Sequence, residues 1–309
     1  MPGVTGSKAP TMNNASQFTK MCVGIISNTG LTLSIFLLSF HLLIFSLVDD
    51  LQNLPGKNLA SFCVALILEY TSTLLSSVLE NQACYINEIA AYYFIMASAF
   101  WMLTMSYDVW QTLRSSTNGL LISGGRQCKK FICYSLFSWL MPALLTTLVF
   151  FILPRIFENF DVAYQDFDQQ NCTFQQTDKM YVFMTSVFGT ILLFNTLFFV
   201  SSIYYIFSTQ LAVIKRSNKN NAFITQFQLY GRLAIIMGVT WTAEFIINYS
   251  NFDILSTTFK IINAFEGLFI VIAFTMRKEV LESIKSLHIG RSIQDRSMHF
   301  YRYMNLRRI

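Results

Sequence analysis

Apolar residues run along this chain in long blocks rather than in alternation. Seven blocks approach or exceed the roughly 20 residues that a helix needs to cross a bilayer's hydrocarbon core: 21–48, 59–79, 87–113, 131–153, 180–207, 233–249 and 258–276. The first, third and fifth are long enough to tilt or to protrude. In lipid each backbone amide must find its partner inside its own segment, so the pattern predicts helices. The Phe and β-branched enrichment of these blocks would favour strands in water, and lipid overrides it. The predicted fold class is all-α: an integral membrane bundle of seven helices. No internal repeat is visible.

Composition agrees. The chain of 309 residues is 53% hydrophobic and only 13% charged, about half the charge of an ordinary soluble domain. It lacks the polar residues needed to coat a soluble core. Residues 1–20 are polar and read as a short disordered extracellular tail. The seven-helix membrane domain spans 21–276. A short amphipathic helix follows over 277–290, with Val280, Leu281, Ile284 and Leu287 at helical spacing against Lys278, Glu282 and Lys285, a pattern suited to the inner membrane face. Residues 291–309 form a basic tail.

Charge orients the bundle. With the amino terminus outside, the inner segments hold seventeen Lys and Arg and the outer ones five, the bias expected of cytoplasmic loops. Lys20 before the first span and Asp49 and Asp50 after it disagree locally, a conflict that fits a natural amino terminus longer than this one. The sequons at Asn14 and Asn171 fall outside and are candidate glycosylation sites. A third, at Asn248, lies too near the membrane for glycan transfer.

Of six cysteines, Cys63 and Cys133 lie in spans and Cys128 in an inner loop, where thiols stay reduced. Cys22 sits at the outer end of the first span. Cys84 precedes the third span and Cys172 lies in the loop after the fourth. A bridge between these two would tie that loop to the third helix; the other reading is two free thiols.

Several motifs stand in order along the spans: FWMLTMSYDVW (100–110), SWLMP (138–142), GVTWTAEF (238–245), and NAFEGLFI (263–270) followed by RKEV. Together with LQNLPGKN (51–58) they resemble the insect Methuselah receptors, within the secretin and adhesion branch of G-protein-coupled receptors. The resemblance covers about 21–290. It implies a multi-pass receptor of the plasma membrane that passes an extracellular ligand signal, from a peptide or an amine, to a heterotrimeric G protein. It implies packing roles for Trp139, Pro142, Gly238, Trp241 and Gly267. Besides Glu266, which stands where the related families have Gln, two positions depart from the pattern. Ser61 stands where secretin receptors have a His, and Met105 where they have a Glu, so their polar lock between the second and third helices is missing. Methuselah receptors also carry a folded ectodomain, for which about 20 residues remain here.

Acids at membrane depth are costly, roughly 2.5–3.5 kcal/mol for an Asp at a helix centre. Four stand out: Glu69, Asp108, Glu244 and Glu266. Removing a carboxylate from water with no cation beside it favours the neutral form. Glu266 therefore reads as a neutral group standing in for the family's Gln, beside Gly267, where the seventh helix can bend. Glu69, Glu244 and Glu266 are the candidate ligand pocket, with a cationic ligand as the functional reading and structural hydrogen bonds as the preferred one. Asp108 is read as an inner gate with Arg232, with Lys57 or water as alternative partners. His41 is read as a satisfied core group. There is no metal-ligand spacing, no cofactor motif and no nucleic-acid signature, so the expectation is a receptor rather than an enzyme. An ion- or proton-coupled transporter or channel, and a truncated non-signalling relative, are the rival readings.

Overall fold

The computed structural model describes residues 11–48, 51–117, 125–156, 167–168, 173–174, 178–213, 253–276 and 280. The elements are α1 (Thr11–Leu47), α2 (Leu54–Leu75), α3 (Asn81–Thr117) and α4 (Gly125–Thr147), which continues through a π-helical turn (Leu148–Ile152) into α5 (Leu153–Ile156). Then come α6 (Asp178–Val213), α7 (Asp253–Ala264), α8 (Glu266–Ile270) and a second π-helical turn (Val271–Thr275). Among the described residues, five helical spans are long and apolar enough to cross a membrane, and six if α7 and α8 count as one bent span. The predicted span 233–249 lies outside the described residues, as do 281–309.

Two helix starts and one pair of short strands stand out among the departures from the hydropathy reading. The helix of α1 begins at Thr11, so half of the predicted disordered tail is helical. No Gly or Pro interrupts 11–20, and extending an existing helix costs little once it is nucleated. α2 begins at Leu54 rather than 59, because Asn53 caps it. The Asn53 side chain accepts from the Gly56 amide at 2.9 Å, and Pro55 occupies the first turn, where a missing N–H does no harm. Lys57 thus belongs to a helix rather than a loop. Finally, Phe167–Asp168 and Thr173–Phe174 pair as a minimal antiparallel ladder, a small exception to an all-α fold.

α3 is the central element and packs against α2, α4 and α6. One core gathers around Trp101, with Phe62, Leu66, Met105 and Ile270. Trp139 on α4 meets the Trp101 ring edge-on at 6.2 Å. A second core joins Met96 and Phe100 to Val149, Phe150, Phe188 and Ile191. Pro142 lies inside α4 and is fully buried, as membrane helices tolerate when neighbours satisfy the freed carbonyl.

The last span bends by 48° between Ala264 and Glu266, with Phe265 at φ −97°, ψ 11°. A bend in hydrocarbon strands a carbonyl, and here Ser34 on α1 answers it, donating to the Ala264 carbonyl at 2.7 Å. Gly267 lets this happen. A Cβ added there would lie 2.7 Å from the Ser34 Cβ and 2.8 Å from its Cα. Lower down, His41 Nδ1 and Thr275 Oγ1 share a 2.7 Å hydrogen bond, tying α1 to the second π-helical turn.

Candidate functional site

Two of the three acids expected in a ligand pocket meet around Tyr70. The Tyr70 hydroxyl donates to Glu266 Oε2 at 3.0 Å, while the neighbouring Glu69 accepts from Ser98 on α3 at 3.0 Å. Consecutive residues of α2 thus reach opposite neighbours, because adjacent side chains on a helix point about 100° apart. Glu266, Tyr70 and Ser98 are buried; Glu69 is half-buried. Glu266 Oε1 is buried and has no hydrogen-bond partner among the described residues. The centre therefore joins α2, α3 and α8 immediately beyond the bend. The third acid, Glu244, lies outside the described residues. A surface hollow of about 590 Å³ runs along the outward side of α1, lined by Asn28, Thr29, Thr32, Leu33 and Phe36, away from both Glu69 and Glu266.

The second cluster lies at the far end of α3. Asp108 is buried and held by two neutral donors. Asn58 Nδ2 on α2 approaches Oδ2 at 3.5 Å, and the Tyr134 hydroxyl on α4 approaches Oδ1 at 3.1 Å. Tyr134 also lies 3.0 Å from Gln111 Oε1. Its single proton can serve only one of these acceptors at a time. Lys130 Nζ donates to Gln111 at 3.4 Å, so it supports the cluster without pairing with the acid.

The sequence reading gave Asp108 a cation as partner. Arg232 lies outside the described residues. Lys57, the alternative, makes no ion pair with Asp108 among the described residues; Asn58, one residue on, takes that place. A neutral amide can approach a buried acid without the desolvation cost that a second charge carries.

Met105 and Ser61 behave as their substitution implies. Met105 is buried in the Trp101 core, and Ser61 donates to the Lys57 carbonyl of its own helix at 3.0 Å. α2 and α3 are joined instead at three other levels: Asn58 to Asp108, Glu69 to Ser98, and Asn87 Nδ2 to the Ser72 carbonyl at 2.8 Å. Asn58, Tyr70, Ser98, Gln111 and Tyr134 escaped the sequence reading. For Tyr70, Ser98, Gln111 and Tyr134 the only signal available was a polar residue inside an apolar block, and Asn58 stands one residue before such a block.

An aromatic ladder runs from this cluster to α6. Tyr107 meets Tyr134 edge-on at 6.2 Å and Phe198 at 5.5 Å. Trp110 lies 5.4 Å from Phe198, and Arg114 sits over the Trp110 ring at 5.3 Å, a cation–π distance.

Cys84 is buried and disulfide-bonded, while Cys22, Cys63, Cys128 and Cys133 are free. Cys172, Asn171, Gly238 and Trp241 lie outside the described residues. Asn14 falls on the helical backbone of α1.

A family model described as 7 transmembrane receptor (Secretin family) matches residues 20–270, a stretch that contains both clusters. The chain is 28% identical over 285 residues to the G-protein coupled receptor Mth2 of Drosophila yakuba, covering 84% of this chain and 50% of that one. It is 26% identical over 287 residues to the probable G-protein coupled receptor Mth-like 10 of Drosophila melanogaster, covering 84% and 48%. To the G-protein coupled receptor Mth of the same species it is 26% identical over 240 residues, covering 72% and 45%. The chain thus spans about half the length of the curated relatives it matches.

Proposed function

The chain belongs to the secretin family of seven-transmembrane receptors, and from that premise we propose that it is a G-protein-coupled receptor of the plasma membrane. In this reading the block 233–249 supplies the remaining span. The Cys84 end faces outward, Cys84 pairs with Cys172, and Asn14 and Asn171 carry glycans. The Asp108 end faces the cytosol and a heterotrimeric G protein.

The observation that carries the mechanism is the position of the Tyr70–Glu266 bond. It couples α2 to the last span immediately beyond the 48° bend. A ligand with a peptide or amine group that engages Glu69, Glu244 or Glu266 from the outer side competes for these bonds. Exchanging bonds within a buried polar set can shift a conformational balance by a few kcal/mol, enough to change which state dominates. α2 carries the change to the Asp108 cluster through Asn58. There the Tyr134 hydroxyl can switch its hydrogen bond between Asp108 and Gln111, and Arg232 is the cation we place near Asp108 at the start of the remaining span. Releasing this cluster opens the cytosolic crevice.

Nucleotide exchange on purified heterotrimers tests the reading. Membranes bearing the chain are compared with membranes lacking it, with Asp108→Ala included so that no ligand is needed. We expect higher exchange with Asp108→Ala than with the unaltered chain. Exchange no higher than in membranes without the chain, for every heterotrimer class and for both proteins, refutes it.

A further inference from the structure

Beside the Asp108 cluster lies a corner that carries cations and no acids. Arg114 is exposed one turn beyond Gln111 on α3, and Lys129 is exposed next to Lys130 on α4. The Lys130–Gln111 contact between them brings the two helices together. No Asp or Glu occurs anywhere from 109 to 157. Loop topology alone does not require this. The bias that places Lys and Arg on one side of a membrane is nearly indifferent to Asp and Glu, so nothing in it removes counter-charges from a basic corner.

What lies next to the corner identifies its partner. Lys129 begins a stripe at helical spacing that continues through Ile132, Leu136 and Leu140. These three side chains are each more than half exposed, in a span apolar enough to sit in lipid. The cation therefore sits where a hydrocarbon-facing stripe ends, the level at which acyl chains give way to headgroups. Arg114 is held in place by Trp110, whose ring type favours this same interfacial layer.

We propose that the α3–α4 corner is a binding site for one anionic phospholipid, its headgroup between Arg114 and Lys129 and its chains along Ile132, Leu136 and Leu140. A lipid satisfies both halves of the surface at once; an acidic protein segment would satisfy only the charges. The proposal rests on this end of the bundle reaching a headgroup layer, and it needs no G protein.

The test uses the full chain in neutral detergent. It is offered equimolar phosphatidylserine and phosphatidylcholine with identical acyl chains, and retained lipid is read by native mass spectrometry. Each basic residue near a charged surface contributes on the order of a few-fold in affinity, so we expect about a tenfold preference for the serine lipid. The double variant Arg114→Gln/Lys129→Gln should bring the preference close to parity, and Lys129→Arg should keep it. Arg302→Gln/Arg307→Gln/Arg308→Gln, in the tail, should also keep it. Both corner residues are exposed, and delayed reaction of the buried Cys63 thiol checks that each variant is folded. Parity in the unaltered protein overturns the proposal. So does a preference that survives the double variant, or one that disappears with the tail variant. If the double variant keeps its lipid preference but loses nucleotide exchange, the corner is a protein-docking surface and the lipid site is refuted.

Discussion

Replacing Gly267 by alanine adds one methyl group where α8 passes close against α1. That carbon would lie 2.7 Å from Ser34 Cβ, 2.8 Å from Ser34 Cα and 2.9 Å from the Ser34 carbonyl oxygen. Two of these atoms are backbone, so no rotamer change relieves the overlap, and α1 must move away from α8. Overpacking of a core typically costs 1–3 kcal/mol, and we place this case at about 2–3. Separation also lengthens the Ser34–Ala264 bond, leaving a carbonyl without a partner in hydrocarbon for about 1 kcal/mol more. The matched control is Gly24→Ala on α1, where the added carbon would meet nothing within 4 Å. There the change should be neutral or favourable by up to about 1 kcal/mol, from helix propensity alone. Thermal unfolding in detergent, followed by a thiol-reactive dye as Cys63 becomes exposed, reads the difference. With Cys22, Cys128 and Cys133 replaced by Ser in every protein compared, Cys63 is the remaining free thiol among the described residues, and its reaction reports unfolding. The Gly267 variant should melt roughly 4–8 °C lower and the Gly24 variant at or above the unaltered protein. Ser34→Gly removes the Cβ overlap but also the hydroxyl on the Ala264 carbonyl, so the double variant should lose less than the sum of the two single changes, a non-additivity expected of residues in contact. Equal melting of the Gly267 and Gly24 variants would refute the close-approach argument, and so would strict additivity in the double variant.

Three further outcomes are expected. Glu266→Gln keeps an acceptor for Tyr70 and should signal nearly normally, whereas Glu266→Leu strands the buried hydroxyl at about 1–3 kcal/mol and should impair signalling; equal damage in both variants would show that a charge is required. Tyr134→Phe removes one of the two donors to Asp108 and should raise ligand-independent nucleotide exchange by up to about tenfold, the equivalent of 1.4 kcal/mol; unchanged or lowered basal exchange would exclude the cluster as a brake. A tag at residue 1 should stain intact cells, and non-reducing peptide mapping should recover Cys84 linked to Cys172; staining only after permeabilisation reverses the orientation, and two free thiols remove the bridge.

Hydropathy located the described spans well because it reports the solvent of each segment, and lipid sets that solvent unambiguously. It placed their ends less well. The start of α2 was legible in principle, since Asn53-Leu54-Pro55 is a capping signal, but the hydropathy average begins only where the polar residues stop. The acids were visible as costly exceptions, and Glu266 beside Gly267 marked the neighbourhood of the bend. Their partners were not visible. Tyr70 meets a residue 196 positions away, Asp108 meets residues 50 and 26 positions away, and Ser34 meets one 230 away. Which face of a helix meets which neighbour depends on its rotation within the bundle, and a uniformly apolar helix carries little record of that rotation. Charge is the one long-range preference that can be read without knowing the rotation, so the partner expected for Asp108 was Arg232, which lies outside the described residues, with Lys57 or water as alternatives. An Asn and a Tyr leave no such trace.

The two sides of α3 are fastened by different means. Toward α2 it is riveted: three hydrogen-bonded clasps stand at three heights, and each fixes a register. Toward α6 the described contacts are rings and aliphatic side chains, such as Tyr107 and Trp110 on Phe198, or Phe100 with Phe188 and Ile191. Rings can slip or roll across one another with little change in contact area, whereas shifting a clasp by one residue breaks a bond in a medium that offers no replacement. The bundle is therefore mechanically anisotropic, stiff to shear between α2 and α3 and compliant along α6. A disturbance at the Tyr70 centre travels through the riveted pair as through a rigid lever, and the slack needed for motion is taken up at the greased bearing opposite.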